Sequence, residues 1–380
     1  MSDVMKFEDY KQYFNPVFAK ATDIVATKGK GCYLWDVNGE KYLDFVQGIA
    51  VNALGHCFPP IVEAVKNQVG NLIDASFNLV NYESTLKLAK KLTSVAPEGL
   101  SQVFFTNGGA EATDSALKMA MAYSGRAAGI AFMGSFHGRT CGATSITGSN
   151  SKYRRHYEGL MGKVYFAPYP GRDLCPPEIP ADKRGEYSLF ELNKLLRYIV
   201  SPEDVAYIYM EPVMGEGGYV VPPKEFMQEV RKICDKYGIL LIYDEVQAGY
   251  GRTGKMWASQ NFDVVPDIMT VGKAIAGGLP MSAVLTRPDI AEKWPVGTHG
   301  TTFGGNPVAA AAACVVLEQY EDGTLLKNVN EMGEYLRSEL KKLQEKHPII
   351  YDVRGLGLMV AIEFAQADGT PAPDIWAKVK

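Results

Sequence analysis

The 380-residue chain has few cysteines, six in all, at positions 32, 57, 141, 175, 234 and 314, and no two form a CxxC pair. That spacing excludes the common zinc-ligand motifs, and no metal site is expected. Nor is there a disulfide framework, so the cysteines read as reduced thiols of a cytoplasmic protein. No apolar run is long enough to span a bilayer. The longest small-apolar stretch, PVAAAAACVVL from Pro307, reads as a buried, closely packed helix. The opening MSDVMKFEDYKQYF lacks an apolar core, which argues against a secretory signal. Charge of one sign is lacking as well: the net charge is −4, and neither half is strongly basic. Nucleic acid and anionic membrane are therefore not the expected partners. Repeats and low-complexity tracts are absent. What is present is a 47% hydrophobic fraction beside 22% charged residues, enough for a large core. The length suits a two-domain enzyme.

Short β-rich runs alternate with helical patterns, which predicts an α/β sheet covered by helices. Residues 32–46 read as a hairpin turning at Asn38-Gly39. PPIVEAVKNQV opens a helix with prolines at its start. QVFFTN, GIAFMG, KVYFAPY and VAYIYMEP read as strands, and residues 109–124 as a helix. EFMQEVRKICDKYG is an amphipathic helix stopped by Gly238. ILLIYDE is apolar on both faces, as a central parallel strand should be. Residues 325–347 form a long amphipathic helix, and 352–364 a strand pair. The segment 169–186, rich in proline and charge, reads as a solvated surface loop.

Three short segments carry chemistry. Lys273 sits in TVGKAIAGG, between a strand and a glycine-rich stretch. A lone lysine is usually a surface charge, but small apolar neighbours desolvate the amine and poise it for Schiff-base formation. Asp244 ends the strand ILLIYD, where ligands of open α/β sheets gather. A carboxylate there can hold a pyridinium nitrogen protonated, so that the ring draws electrons from a carbanion. It can equally be a helix cap or a structural ion pair. Asn107-Gly108-Gly109-Ala110 joins a strand to a helix, a turn whose free N–H groups can hold an anion, although a plain tight turn has the same form.

An amine, a ring-nitrogen partner and a phosphate cradle occur together. At this point the sequence resembles the class III aminotransferases of pyridoxal-phosphate fold type I. The matching motifs are NGGAEATDSALKMA, SFHGRT, EPVMGEGG, YDEVQAGYGRTG, TVGKAIAGGLP and GTTFGGNP, in order from about Trp35 to Phe364. The resemblance implies pyridoxal 5'-phosphate as cofactor, amino and keto acids as substrates, and a homodimer with a shared active site. It implies a large domain with a mostly parallel sheet, residues 51–319, and a small α/β domain from residues 1–50 and 320–380. It also implies roles. Lys273 carries the cofactor and moves the proton, and Asp244 pairs with the pyridinium. Gln247 meets the ring hydroxyl, Val246 packs under the ring and Phe136 stacks on its other face. Gly109 and Ala110 hold the phosphate, Thr302 reaches the phosphate of the neighbouring subunit, and Glu211 supports the ring-side hydrogen bonds. His137 is structural. Arg139 meets a substrate carboxylate, or serves as a structural ion pair. Ile49 lines the entrance, and Glu216 is the gate that pairs with an arginine near the C-terminus.

Two departures stand out. Gly108 occupies a position where serine is common. After AIEF the chain reads AQADGTPAPDIWAKVK, in which Asp374 reads as a helix cap, and the given residues are expected to stop inside that helix at Lys380. The gate's arginine is therefore expected in residues that would follow, and no residue here takes its role. The leading function is transfer of an ω-amino group, with 4-aminobutyrate-like donors first, to 2-oxoglutarate or pyruvate. Acetylornithine or ornithine aminotransferase is the close second. An amino-acid racemase or epimerase would use the same lysine. A cofactor-free interaction protein would need none of Lys273, Asp244 and Gln247 together.

Overall fold

The computed structural model describes residues 5–366 and 368–375. Three strands near the N-terminus, β1 (Ala26–Lys30), β2 (Tyr33–Asp36) and β3 (Lys41–Leu43), form an antiparallel sheet. The β2–β3 turn is the expected hairpin. Gly39 takes the left-handed conformation at φ +82°, and Asp36 Oδ1 accepts from Asn38 N and Glu40 N, both at 2.9 Å.

The seven-stranded sheet is built from β4 (Gln102–Thr106), β5 (Ala128–Phe132), β6 (Val164–Ala167), β7 (Val205–Met210), β8 (Leu240–Asp244), β9 (Ile268–Val271) and β10 (Ser282–Thr286). Its spatial order is β4-β10-β9-β8-β7-β5-β6, and only β10 runs against the other six. Every residue of β5, β7, β8, β9 and β10 is buried, so both faces are covered.

Alternation along the strands decides which helix each residue meets. Leu240 and Ile242 face α3 (Gly109–Ser124), in a cluster with its Ala112, Ala116 and Met119. Leu241 and Tyr243 point the other way, toward α4 (Arg184–Tyr198) and α5 (Lys224–Tyr237). Further along that face, Met269 and Val271 meet α2 (Glu83–Val95) and α6 (Pro307–Glu318), and α1 (Pro59–Asn71) packs on α6. Helix α6 is the predicted alanine run. Asn306 caps it, and Ala309, Ala310, Ala312 and Ala313 are buried, so small side chains let the helices approach closely. Gly238 ends α5 at φ +61°, as its position suggested. The long helix α7 (Thr324–Lys346) packs on the hairpin β11 (Ile350–Leu356) and β12 (Met359–Phe364). No helix among the described residues is long and apolar enough to cross a membrane.

Two expectations are corrected. The segment 169–186 is not a solvated loop throughout. Tyr169, Gly171 and Cys175 are buried, the Tyr169 hydroxyl donates to Glu211 O at 3.0 Å, and Arg172 pairs with Glu363 of β12. Its charged and proline residues hide an aromatic anchor under the sheet's end. Asp374 lies inside a helical turn at 373–375 instead of capping it, and the continuation from 376 lies outside the described residues.

Candidate active site

Because six strands share one direction, β4, β8 and β9 bring their carboxyl ends to one edge of the sheet. The three chemistry-bearing segments follow those ends directly. Asn107-Gly108-Gly109 follows β4, Asp244 closes β8, and Gly272-Lys273 follows β9. From these segments Gly109, Asp244 and Lys273 line one cavity of about 850 Å³. All the expected site residues line it (Ile49, Gly109, Ala110, Phe136, Arg139, Glu211, Glu216, Asp244, Val246, Gln247 and Lys273) except Thr302. Thr302 is exposed, on the loop between β10 and α6, and does not reach its own chain's cavity.

Lys273 opens a short 3₁₀ turn, Lys273–Ala276, at φ +46°. A non-glycine residue rarely takes that backbone, and strain of this kind gathers at functional sites. Burial lowers the amine's pKa below the ordinary lysine value, while Glu211 and Asp244 pull it back and Arg252 adds to the lowering. The amine makes no hydrogen bond or ion pair among the described residues.

Asp244 is buried, and both its oxygens are engaged. Oδ2 accepts from His137 Nδ1 at 2.7 Å, and Oδ1 accepts from Val246 N at 3.0 Å. Thus His137 is more than a neighbour of Phe136: it orients the carboxylate. Its Nε2 is buried with no hydrogen-bond partner among the described residues. The ring meets Tyr209 edge-on at 4.5 Å, and Tyr209 in turn is hydrogen-bonded to Thr113 and Thr270. Glu211 accepts from Phe136 N at 3.0 Å and from Gly215 N at 2.8 Å. Burial, partly countered by His137, pushes its carboxyl up to about 7.

Gly109 begins α3, and the first N–H groups of a helix have no acceptor within it. A methyl group on Gly109 would meet Val246 Cγ1 at 2.9 Å, and one on Gly272 would come 3.3 Å from the same atom. Val246 therefore fills the floor between the two glycines. One on Gly215 would overlap Gln247 Oε1, which places that carboxamide beside the Glu211 loop.

At the mouth, Ile49 is 66% exposed within Gln47–Ala50, four consecutive residues with left-handed backbone. Arg252 Nη1 donates to Gln47 Oε1 at 2.7 Å and pins that segment. Arg139 forms no ion pair among the described residues; its guanidinium lies over the ring of Tyr153. Glu216 accepts from the Tyr153 hydroxyl at 2.8 Å. Tyr153 and the Asp244-bonded role of His137 went unforeseen. Tyr153 lies in SKYRR, outside every motif, and a contact between residues 107 positions apart leaves no trace in local spacing.

A profile of the class III aminotransferases matches residues 16–380. The chain is 38% identical over 359 residues to the 5-aminovalerate aminotransferase DavT of Pseudomonas aeruginosa, covering 94% of this chain and 83% of that protein. It is 36% identical over 365 residues to the alanine/serine racemase of Pyrococcus horikoshii, covering 95% and 77%. The taurine:2-oxoglutarate aminotransferase of Bifidobacterium kashiwanohense, solved with pyridoxal phosphate and glutamate, superposes with a TM-score of 0.89 at 32% identity, over 98% of this chain and 86% of that one. These likenesses span nearly the whole chain, and together with the clustered lysine, carboxylate and glycine turn they place it in the class III aminotransferase family, whose members are enzymes that work with pyridoxal 5'-phosphate.

Proposed function

We propose that this enzyme moves an amino group from an ω-amino acid resembling 4-aminobutyrate to 2-oxoglutarate or pyruvate. The observation that carries this reading is that one cavity holds both a desolvated Lys273 and an exposed Arg139 that has no ion-pair partner among the described residues. An arginine binds carboxylate in bidentate fashion, so a donor with a carboxylate at one end can present its amine at the other.

The residues fit the cofactor. Gly109 and Ala110 offer helix N-terminal N–H groups to a phosphate. Val246 and Phe136 would flank the ring, Gln247 would meet its hydroxyl, and the fixed carboxylate of Asp244 would hold its nitrogen protonated. Glu211 orders the loop beneath. When bound, pyridoxal phosphate supplies an aldehyde that takes up the amine and a ring that withdraws electrons. Lys273 does the rest of the work in this chain. Its burial favours the neutral amine, which would hold the cofactor's aldehyde carbon until the donor's amine displaces it and, once freed in that exchange, would accept a proton from the donor's amine-bearing carbon.

Thr302 reads as a phosphate ligand for a second copy of the chain. Phe303 beside it is 60% exposed, and Phe45, Val46 and Leu79 are exposed apolar residues that a homodimer interface would cover. The division into a large domain (51–319) and a small one (1–50 and 320–380) is part of this reading. So is a cytoplasmic location, which six free thiols favour. Racemisation is a second reading, supported by the racemase among the relatives. The same Lys273 would then return the proton to the substrate carbon. Acetylornithine and ornithine remain competing donors. A screen of amino donors against 2-oxoglutarate and pyruvate, with a chiral assay of each amino acid without keto acid, decides among them. Turnover of 4-aminobutyrate supports the leading reading, and loss of chirality without a keto acid replaces it. Light scattering tests the dimer.

A further inference from the structure

Tyr153 stands between the two charged side chains of the cavity mouth. It closes the 3₁₀ turn Ser151–Tyr153, whose start is fixed by Asn150 Oδ1 accepting from Lys152 N at 3.0 Å. The phenol ring meets Phe136 at 74°, with centroids 5.7 Å apart. Arg139 Cζ lies 4.2 Å from the Tyr153 centroid, and Lys152 Nζ lies 5.0 Å from it. The hydroxyl donates to Glu216 Oε1 at 2.8 Å. Arg139 and Glu216 line the same cavity without pairing.

Opposite charges on flexible stems in one pocket ordinarily meet, and an arginine with a carboxylate does so in a strong two-pronged geometry. Two forces from a single side chain oppose this here. The ring face attracts the guanidinium. The phenol proton satisfies the carboxylate oxygen that would otherwise turn to Arg139. Burial first, and the neighbouring Glu216 next, raise the phenol's pKa and keep it a donor.

We propose that Tyr153 is a positioning residue that keeps Arg139 and Glu216 apart, so that Arg139 stays open to a substrate carboxylate. This rests on the carboxylate-binding role given to Arg139 above. Without the hydroxyl, Glu216 loses its donor among the described residues and pairs with Arg139, which closes the carboxylate subsite.

The test uses holoenzyme with its cofactor loading checked by visible absorbance. The probe is glutarate, a five-carbon dicarboxylate with no amine to transfer, and calorimetry reads its affinity. Tyr153→Phe keeps the ring and loses the hydroxyl, and glutarate should bind about tenfold more weakly. The double variant Tyr153→Phe/Glu216→Gln removes the competing charge, and affinity should return to within about threefold of the unmodified enzyme. Glu216→Gln alone gives the direct effect of removing that charge, and in that background Tyr153→Phe should cost almost nothing, whereas a merely structural tyrosine would cost the same tenfold in either background. KM for carboxylate substrates should follow the same order, with kcat moving less. Undiminished affinity in Tyr153→Phe, or a double variant as weak as the single one, overturns the proposal. So does an unmodified enzyme that uses 4-aminobutyrate yet does not bind glutarate, which leaves the proposed function standing. Loss and rescue of glutarate binding in an enzyme that accepts no ω-amino donor supports the role of Tyr153 and removes only the donor reading.

Discussion

His137 Nδ1 and Asp244 Oδ2 lie 2.7 Å apart with both side chains buried, so the carboxylate at the end of β8 is aimed by a residue from the loop after β5. Val246 N fixes the other oxygen at 3.0 Å. A carboxylate held on two sides cannot rotate to meet a ring nitrogen at leisure; it is already oriented. His137→Phe keeps an aromatic edge against Tyr209 and deletes the bond to Asp244. By analogy with the partners that orient metal ligands, pyridoxal phosphate should bind about tenfold more weakly. Titration of the apoenzyme with cofactor, followed by absorbance, measures this. Unchanged affinity would show that Asp244 needs no partner.

Lys273→Ala should abolish covalent capture of the cofactor and lower turnover by at least about 10⁴-fold, since capture and proton transfer use one amine. Borohydride reduction and peptide mapping of the unmodified enzyme should label Lys273 and no other lysine. The same group makes a stability prediction for the apoenzyme. Its folded pKa is depressed, so the folded chain holds fewer protons than the unfolded one between the two values. The penalty of a buried ammonium is full below the folded pKa and fades as pH rises through it toward the ordinary lysine range. Lys273→Met should therefore stabilise the apoenzyme near neutral pH, with a gain that shrinks in alkali. A gain that grows with pH would contradict the burial of a charge.

Neighbouring glycines in the cradle should respond in opposite ways. Gly108 has ordinary extended backbone, φ −130° and ψ 152°, and a methyl group there meets nothing within 4 Å. Gly108→Ser should leave stability within about 1 kcal/mol, on the stabilising side, because serine caps a helix and has a less flexible unfolded chain. Gly109→Ala drives a methyl group into Val246 and should cost about 1–3 kcal/mol through overpacking. Urea unfolding of the two variants compares them directly.

The parts of this site that were legible in the sequence are local. Asp244 closes a strand, Lys273 and the Gly108-Gly109 turn each follow one within a few residues, and a strand's carboxyl end is visible as the point where an apolar run stops. The glycine after α5 and the prolines that open α1 mark their helix ends for equally local reasons. What stayed hidden depends on contacts across the fold. The His137–Asp244 and Tyr153–Glu216 bonds join segments whose meeting is decided by the strand order β8-β7-β5, which periodicity does not encode. The buried start of segment 169–186 was hidden by its composition, because charge and proline mark exposure only on average. Thr302 is a different case: it is exposed on its own chain, and the role proposed for it needs a second copy beside it.

Glu245, the residue after Asp244, supplies the last prediction. It is fully buried, with Oε1 accepting from Ser259 N at 2.8 Å and Oε2 from Ala258 N at 2.9 Å. Burial pushes its carboxyl from an ordinary 4.5 up to about 7, against the pull of the two N–H groups. The unfolded chain releases this proton near 4.5 and the folded chain near 7, so between them the folded chain holds more protons. Stability then falls as pH rises through that window and is flat above it, by at most roughly 3 kcal/mol. In Glu245→Gln the amide oxygen can accept one of the two N–H groups, and its NH₂ faces the other. One buried donor is left unmet, at a cost of about 1–3 kcal/mol that does not vary with pH. The variant should therefore be clearly less stable than the unmodified protein at pH 5. By pH 8 the deficit should narrow or reverse, because only the unmodified protein bears the cost of a buried charge. Glu211, also raised to about 7, is present in both proteins and cancels in the comparison. Urea unfolding at the two pH values, at equal cofactor loading, gives the difference. A deficit that holds constant, or widens in alkali, would mean that Glu245 is already ionised at pH 5 and that its two N–H partners outweigh burial.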